Sequence, residues 1–162
     1  MAGPTVSILM LAHNKCRHTA RTLEGLLETT WPAVECVLVD NGSTDETRAI
    51  FEAFGARAEA RGWRVHKLLL EENVGAVEGR NRALEVITGD YVVFLDNDVV
   101  IGVRSWLERM TGALDGDPTI GVLGPKILFA EPPHNIQCAG CVVCRGGRVD
   151  FQFFPSPESE NI

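Results

Sequence analysis

The chain has 162 residues, 45% hydrophobic and 23% charged, the proportions of one soluble globular domain with a sizeable core. A formal net charge of -7 argues against nucleic acid as a partner, since a general nucleic-acid binder needs a basic face. The first apolar run, Val6 to Ala12, is too short to span a bilayer and lacks the basic flank of a secretory signal, while five cysteines, an odd count, suit a reducing, cytoplasmic compartment.

In chain order, strands and helices alternate. Val6 to Leu11 reads as a strand, followed by Leu23, Leu26, Leu27 and Trp31 at helical spacing with Pro32 as the stop. Val34 to Val39 is a second strand. Ser43 and Glu46 have capping-box spacing and open a helix with Ile50, Ala53, Phe54 and Ala58 on one face. Val65 to Leu70 is a weaker third strand, and a helix from about Ala76 to Thr88 exits through Gly89-Asp90. Tyr91 to Leu95 is a fourth strand, and Trp106, Leu107, Met110, Ala113 and Leu114 mark a helix closed by Asp117-Pro118. Such alternation predicts an α/β fold, a mostly parallel, Rossmann-like central sheet with helices on both faces.

After Ile120 the texture changes to short apolar pieces separated by Gly and Pro, a short β-rich segment. Val142-Val143 and Val149 to Phe154 flank Arg145-Gly146-Gly147-Arg148, a predicted hairpin turn. The expected organisation is a core over residues 1–130, a hairpin-like extension over 131–154 and a loose tail over 155–162.

The most informative feature is where the fourth strand ends. An apolar run stops in Asp96-Asn97-Asp98. Ligands of open α/β sheets sit beyond the carboxyl ends of strands, and two carboxylates there suit a divalent cation with an anionic ligand. Three further loops fall on the same rim: Ala12-His13-Asn14, Asp40-Asn41-Gly42-Ser43-Thr44-Asp45, and Asn73-Val74-Gly75 leading to Arg80 and Asn81. A nucleotide needs this inventory. Asp40 offers an acceptor for the imide N–H of uracil or thymine. A helix N-terminus with a nearby Arg suits phosphate oxygens. Turn and cap chemistry accounts for each piece alone, and Arg80 has Glu78 and Glu85 as helix-face partners. Their convergence on one rim favours a ligand site. No Gly-x-Gly-x-x-Gly follows the first strand, and no Gly-x-x-x-x-Gly-Lys-Ser/Thr occurs. An aspartyl phosphatase would place its acids after the first strand.

With these motifs in order over about Thr5 to Phe129, including Gly79-Arg80-Asn81, Gly89-Asp90-Tyr91 and Phe94-Leu95-Asp96-Asn97-Asp98, the chain resembles the family 2 glycosyltransferases of GT-A fold. Gly121 to Ile127 and Ile136 to Gly140 are similar to members that build rhamnose-containing or other bacterial surface polysaccharides. The resemblance implies inverting sugar transfer from a nucleotide sugar, UDP- or dTDP-linked, to a glycan or lipid-linked acceptor. It implies nucleotide contacts from Ala12, His13, Asn14, Asp40, Asn41, Gly42, Ser43, Asn73, Gly75, Arg80, Asn81, Asp96 and Asn97. Mn²⁺ or Mg²⁺ is implied on Asp98 and Asp96. The general base is unknown and expected beyond Ile162, since none of Glu131, Asp150, Glu158 and Glu160 stands in a matching context. The alternative is a catalytically incomplete nucleotide-sugar-binding fragment or module, and peripheral membrane association is expected only through regions outside this chain. A related sugar-1-phosphate nucleotidyltransferase would want a Gly-rich basic first loop, which Ala12 to Lys15 does not supply. Cys138, Cys141 and Cys144, with His134, have a spacing open to zinc. Ordinary packed cysteines are the expected reading, because structural zinc wants four ligands and the resemblance needs no metal there.

Overall fold

The continuous apolar runs of the first two strands are buried almost throughout, as strands of a parallel sheet covered by helices are. A computed structural model describes residues 3–151 of the chain. These fall in two compact units, Met1–Glu108 and Arg109–Ile162. In the first, β1 (Val6–Ala12) pairs in parallel with both β2 (Val34–Asn41) and β4 (Tyr91–Asp96), and β2 pairs in parallel with β3 (Arg64–Leu70). The strand order is β3-β2-β1-β4.

Alternate residues of each strand feed two cores. Val6, Ile8 and Met10 of β1, with Cys36 and Leu38 of β2, pack with Leu23, Leu26 and Leu27 of α1 (Cys16–Leu27) and Phe51, Phe54 and Ala58 of α2 (Thr47–Ala60). On the other face Leu9, Val37 and Val39 pack with Ala83 of α3 (Ala76–Leu84) and with Val86 and Ile87 just beyond it. Helices therefore cover both faces, as the alternation predicts. β3 is weaker because it is an edge strand of this sheet, only partly buried along its length.

Two details differ from the sequence reading. The third helix stops at Leu84, not Thr88, because Thr88 turns its N–H and hydroxyl to the buried carboxylate of Glu35. Ser43 and Glu46 form no capping box. Ser43 Oγ accepts the Asn14 N–H instead, while Asp45 Oδ1 takes the N–H and hydroxyl of Thr47 at the start of α2.

The boundary between the units falls within α4 (Trp106–Gly116). In the second unit β5 (Ile127–Leu128) pairs antiparallel with β6 (Ile136–Cys138), a strand too short to be read from periodicity. β7 (Cys141–Val143) and β8 (Val149–Phe151) form the expected hairpin around Arg145 to Arg148. The rest of the expected second strand and the 155–162 tail lie outside the described residues. Among the described residues, no helix is long and apolar enough to cross a membrane.

Candidate functional site

Parallel pairing aligns the ends of three strands: Ala12 lies opposite Asp40, and Leu11 opposite Asp96. The loops leaving these strands are tied to one another rather than to solvent. His13 Nδ1 lies 2.9 Å from the Asn41 carbonyl, which makes that nitrogen the protonated one. The Asn14 N–H donates to Ser43 Oγ at 2.9 Å, and Asn14 Oδ1 accepts the Thr44 N–H at 2.9 Å. The Cys16 N–H, first in α1, donates to Asp45 Oδ2 at 2.8 Å.

The β2 loop is joined to the β3–α3 loop as well. Asn41 Nδ2 donates to Asn73 Oδ1 at 2.9 Å, and Asn41 Oδ1 accepts the Val74 N–H at 3.0 Å. Gly42 lies between them with φ 71°, where a Cβ would sit 2.5 Å from the Glu72 carbonyl carbon and 2.7 Å from Asn73 N. Both the left-handed backbone and the close approach of another backbone demand glycine there. Asn73 Oδ1 also accepts the Gly75 N–H, which places Gly75 at the entry to α3.

Asp40 is enclosed rather than open. It is fully buried, with Oδ1 accepting the Ser43 N–H at 3.0 Å and Oδ2 accepting from Arg48 Nε at 2.6 Å. Arg48 also donates to the Leu70 carbonyl. A carboxylate so enclosed braces the rim from beneath. Arg48 was missed in the sequence. Its signal was modest: a cation in the first turn of the helix that follows an acid at a strand end.

At β4 the two acids are open. Asp96 accepts from Arg80 Nη2 of α3 at 2.8 Å, and Asp98 lies 3.3 Å from Lys15 Nζ, with the two acid side chains 68% and 45% exposed. Arg80 thus reaches Asp96 across the rim, and Glu78 pairs with Arg82 instead. Between the acids, Asn97 turns inward to Thr19 Oγ1, and the Thr22 hydroxyl lies within hydrogen-bond distance of the Asn97 and Val99 carbonyls. Threonines of α1 therefore fix the turn that carries both carboxylates. Asn81 is exposed on α3 and stands apart from these bonds. The structure gathers Ala12, His13, Asn14, Asn41, Gly42, Ser43, Asn73 and Gly75 into one bonded rim and brings Arg80 onto Asp96.

The second unit holds the three spaced cysteines. Cys138 and Cys144 are half-buried and Cys141 is exposed, so they are less enclosed than core packing requires. Cys144 Sγ faces Asp150 Oδ2 at 3.2 Å, and His134 Nδ1 lies 3.1 Å from the Phe129 carbonyl. Among the described residues no group of three or more His, Cys, Asp or Glu is assembled as metal ligands.

A parallel sheet with glycine-bearing loops, an arginine and two open carboxylates at its carboxyl edge has the place and the groups at which open α/β domains take ligands. Comparison with known proteins narrows this. The model of "Glycosyl transferase family 2" matches residues 7–137, and the chain belongs to that family. It is 33% identical over 132 residues to the uncharacterized glycosyltransferase YibD of Escherichia coli, covering 82% of this chain and 37% of that one. It is 30% identical over 157 residues to the O-antigen biosynthesis protein RfbC of Myxococcus xanthus, covering 96% of this chain and 12% of that one. The mannosyltransferase PcManGT of Pyrobaculum calidifontis, solved with GDP-Man and Mn²⁺, superposes with a TM-score of 0.67 at 27% identity, covering 73% of this chain and 34% of that one. The fold is therefore GT-A, and the chain spans little more than a third, or less, of the length of these proteins.

Proposed function

We propose that this chain forms the donor-binding part of a metal-dependent, inverting glycosyltransferase of bacterial polysaccharide synthesis, acting in the cytoplasm on a hexosyl or rhamnosyl donor and a glycan or lipid-linked acceptor. One observation carries the reading. Asp96 and Asp98 stand open at the end of β4, on the rim built by the loops after β1, β2 and β3. Mg²⁺ and Mn²⁺ take hard oxygen ligands and are often held by one or two carboxylates plus substrate phosphates. Two exposed carboxylates fit that demand, with donor phosphates and water as the remaining ligands. When bound there, the cation would offset charge on the leaving diphosphate.

The chain's own groups supply the rest. Arg80, at 2.8 Å from Asp96, is placed to share a phosphate oxygen. The His13-Asn14 and Asn41-Gly42-Ser43 loops form the floor for the nucleoside. Asp40 and Arg48 hold that floor in shape. A transferase also needs a base within reach of the acceptor hydroxyl. We assign that role outside the described residues; among those, Asp117 bonds Thr119 and Asp150 is tied to Arg148 and Cys144. The free thiols of all five cysteines suit a reducing compartment.

A UDP- or dTDP-linked donor is the reading carried forward, with GDP as its direct competitor given the GDP-Man complex of the mannosyltransferase. The test is a thermal-shift and calorimetric panel of UDP, dTDP, GDP and CDP, each with and without Mn²⁺. Stabilisation by at least one diphosphate, strengthened by Mn²⁺, is expected. A flat response to all four overturns the proposal.

A further inference from the structure

Lys15 lies between β1 and α1 with φ 60°, directly after Asn14 with φ 58°. Two successive non-glycine residues in the left-handed region cost free energy and persist only where the surroundings over-determine them. Here they are over-determined. The Asn14 N–H is held by Ser43, its side-chain oxygen by the Thr44 N–H, and the Cys16 N–H by Asp45. What this backbone delivers to the rim is an ammonium group, with Lys15 Nζ 3.3 Å from Asp98 Oδ2.

Both rim acids are therefore already paired, Asp98 with Lys15 and Asp96 with Arg80. A divalent cation that takes these carboxylates must displace two organic cations. The Lys15 pair yields easily, since both its partners are about half exposed or more, at 60% and 45%. Once displaced, the ammonium is a compact charge with three donors on a flexible stem, close to where a diphosphate would meet the cation.

We propose that Lys15 is the exchange partner of Asp98: it holds the carboxylate until a divalent cation takes it, and then binds a phosphate oxygen of the donor. This exchange rests on the reading of the rim as a nucleotide-sugar site. It makes cation and diphosphate bind cooperatively, because each removes Lys15 from competition with the other, and such coupling is reciprocal. Lys15 is thus a positioning and specificity residue for diphosphates over bare nucleosides.

The test uses Lys15→Met, which removes the charge and keeps the length, and Lys15→Asn, a residue that tolerates the left-handed backbone. Melting temperatures equal to the parent's show that each variant keeps the fold. Mn²⁺ alone is titrated by its free-ion paramagnetic resonance signal. UDP, uridine, GDP and guanosine are then titrated by calorimetry in saturating Mn²⁺. Both variants are expected to bind Mn²⁺ alone about two- to fivefold more tightly than the parent. They should bind the diphosphate about tenfold more weakly, with nucleoside affinity unchanged and Lys15→Arg restoring the diphosphate. Unchanged or weaker Mn²⁺ binding in both charge-free variants overturns the exchange, as does unchanged diphosphate affinity. If the parent binds none of these nucleotides, the reading of the rim falls, and the Mn²⁺ arm still decides whether Lys15 competes for Asp98.

Discussion

Strand β2 carries a buried acid near each of its ends, Glu35 at the amino end and Asp40 at the carboxyl end. Both are fully buried, and both accept hydrogen bonds at each carboxylate oxygen. Glu35 accepts from the Ser7 hydroxyl, the Thr88 N–H and the Thr88 hydroxyl, with Arg64 3.7 Å away and His66 3.5 Å away. It stitches β1 and β3 to the segment that enters β4. Asp40 accepts from Ser43 and Arg48 and shapes a loop. Burial and bonding look alike at the two ends. What separates them is topology: ligands of a parallel sheet meet the carboxyl edge. The amino-end cluster is a fastener, while the carboxyl-end one is a foundation beneath an exposed rim.

The sharpest way to break this contrast is to remove the fastener. Glu35→Ala removes a fully buried acceptor from the Ser7 hydroxyl and the Thr88 donors, at a cost of about 1–3 kcal/mol. Urea unfolding should show that loss, while the folded fraction binds nucleotide as the parent does. Nucleotide affinity falling in step with stability would make the two ends one functional unit.

Two glycines give a matched pair. At the amino end a Cβ on Gly89 would lie 2.4 Å from Ser7 Oγ and 2.9 Å from Ser7 N, and at the carboxyl end Gly42 faces the backbone of Glu72 and Asn73. Alanine at either position should destabilise by about 1–3 kcal/mol through overpacking, with backbone strain added at Gly42 alone. Only Gly42→Ala should weaken nucleotide binding, because only there does the displaced backbone form the rim. Calorimetry on both variants decides between one answer and two.

Acid sensitivity separates the ends more finely. Burial alone would raise the Glu35 carboxyl, but hydrogen bonds from Ser7 and Thr88 and the charge of Arg64 outweigh it and hold the group below its ordinary value of 4.5. A depressed carboxyl contributes stability that is complete above the unfolded value and is lost as pH falls through the folded one. Stability should therefore decline below about pH 4.5, and Glu35→Gln should flatten that decline. A slope unchanged in Glu35→Gln would assign it to other acids, such as Asp45, which is depressed although burial opposes it, by bonds from Thr47 and Cys16.

Much of this was legible from the residues. The alternation of apolar runs and helical faces carries the parallel sheet, and the break from Leu95 into Asp96 marks its carboxyl edge. The direction of buried polar side chains was not legible. The partner that encloses Asp40 is Arg48, in the first turn of α2, and no local pattern announces that pairing. Ser43 showed the spacing of a cap. Spacing cannot tell that the Asn14 N–H competes for the same hydroxyl. Lys15 gave no pattern at all, since its approach to Asp98 spans 83 residues of chain. Pairings of this kind are set by tertiary geometry, and local periodicity carries no trace of them.

The smallest expected effect on stability is the most telling for function. Asp98 is about half exposed, and its one described partner is the mobile-stemmed ammonium of Lys15 at 3.3 Å. An exposed pair of this kind contributes about 0–1 kcal/mol, and surface changes away from special features stay within about 0.5 kcal/mol. Asp98→Asn keeps the shape of the side chain and should therefore melt with the parent. If its carboxylate holds a cation that also takes donor phosphate, the same change should erase the part of nucleotide binding that depends on Mn²⁺. An acid that costs the fold almost nothing when neutralised, yet controls the metal response, has no structural reason to be where it is. Glu35 is the reverse case. The comparison breaks if Asp98→Asn and the parent gain the same stabilisation from nucleotide with Mn²⁺. The rim would then bind its ligand without the acid that most distinguishes it from the far end of the sheet.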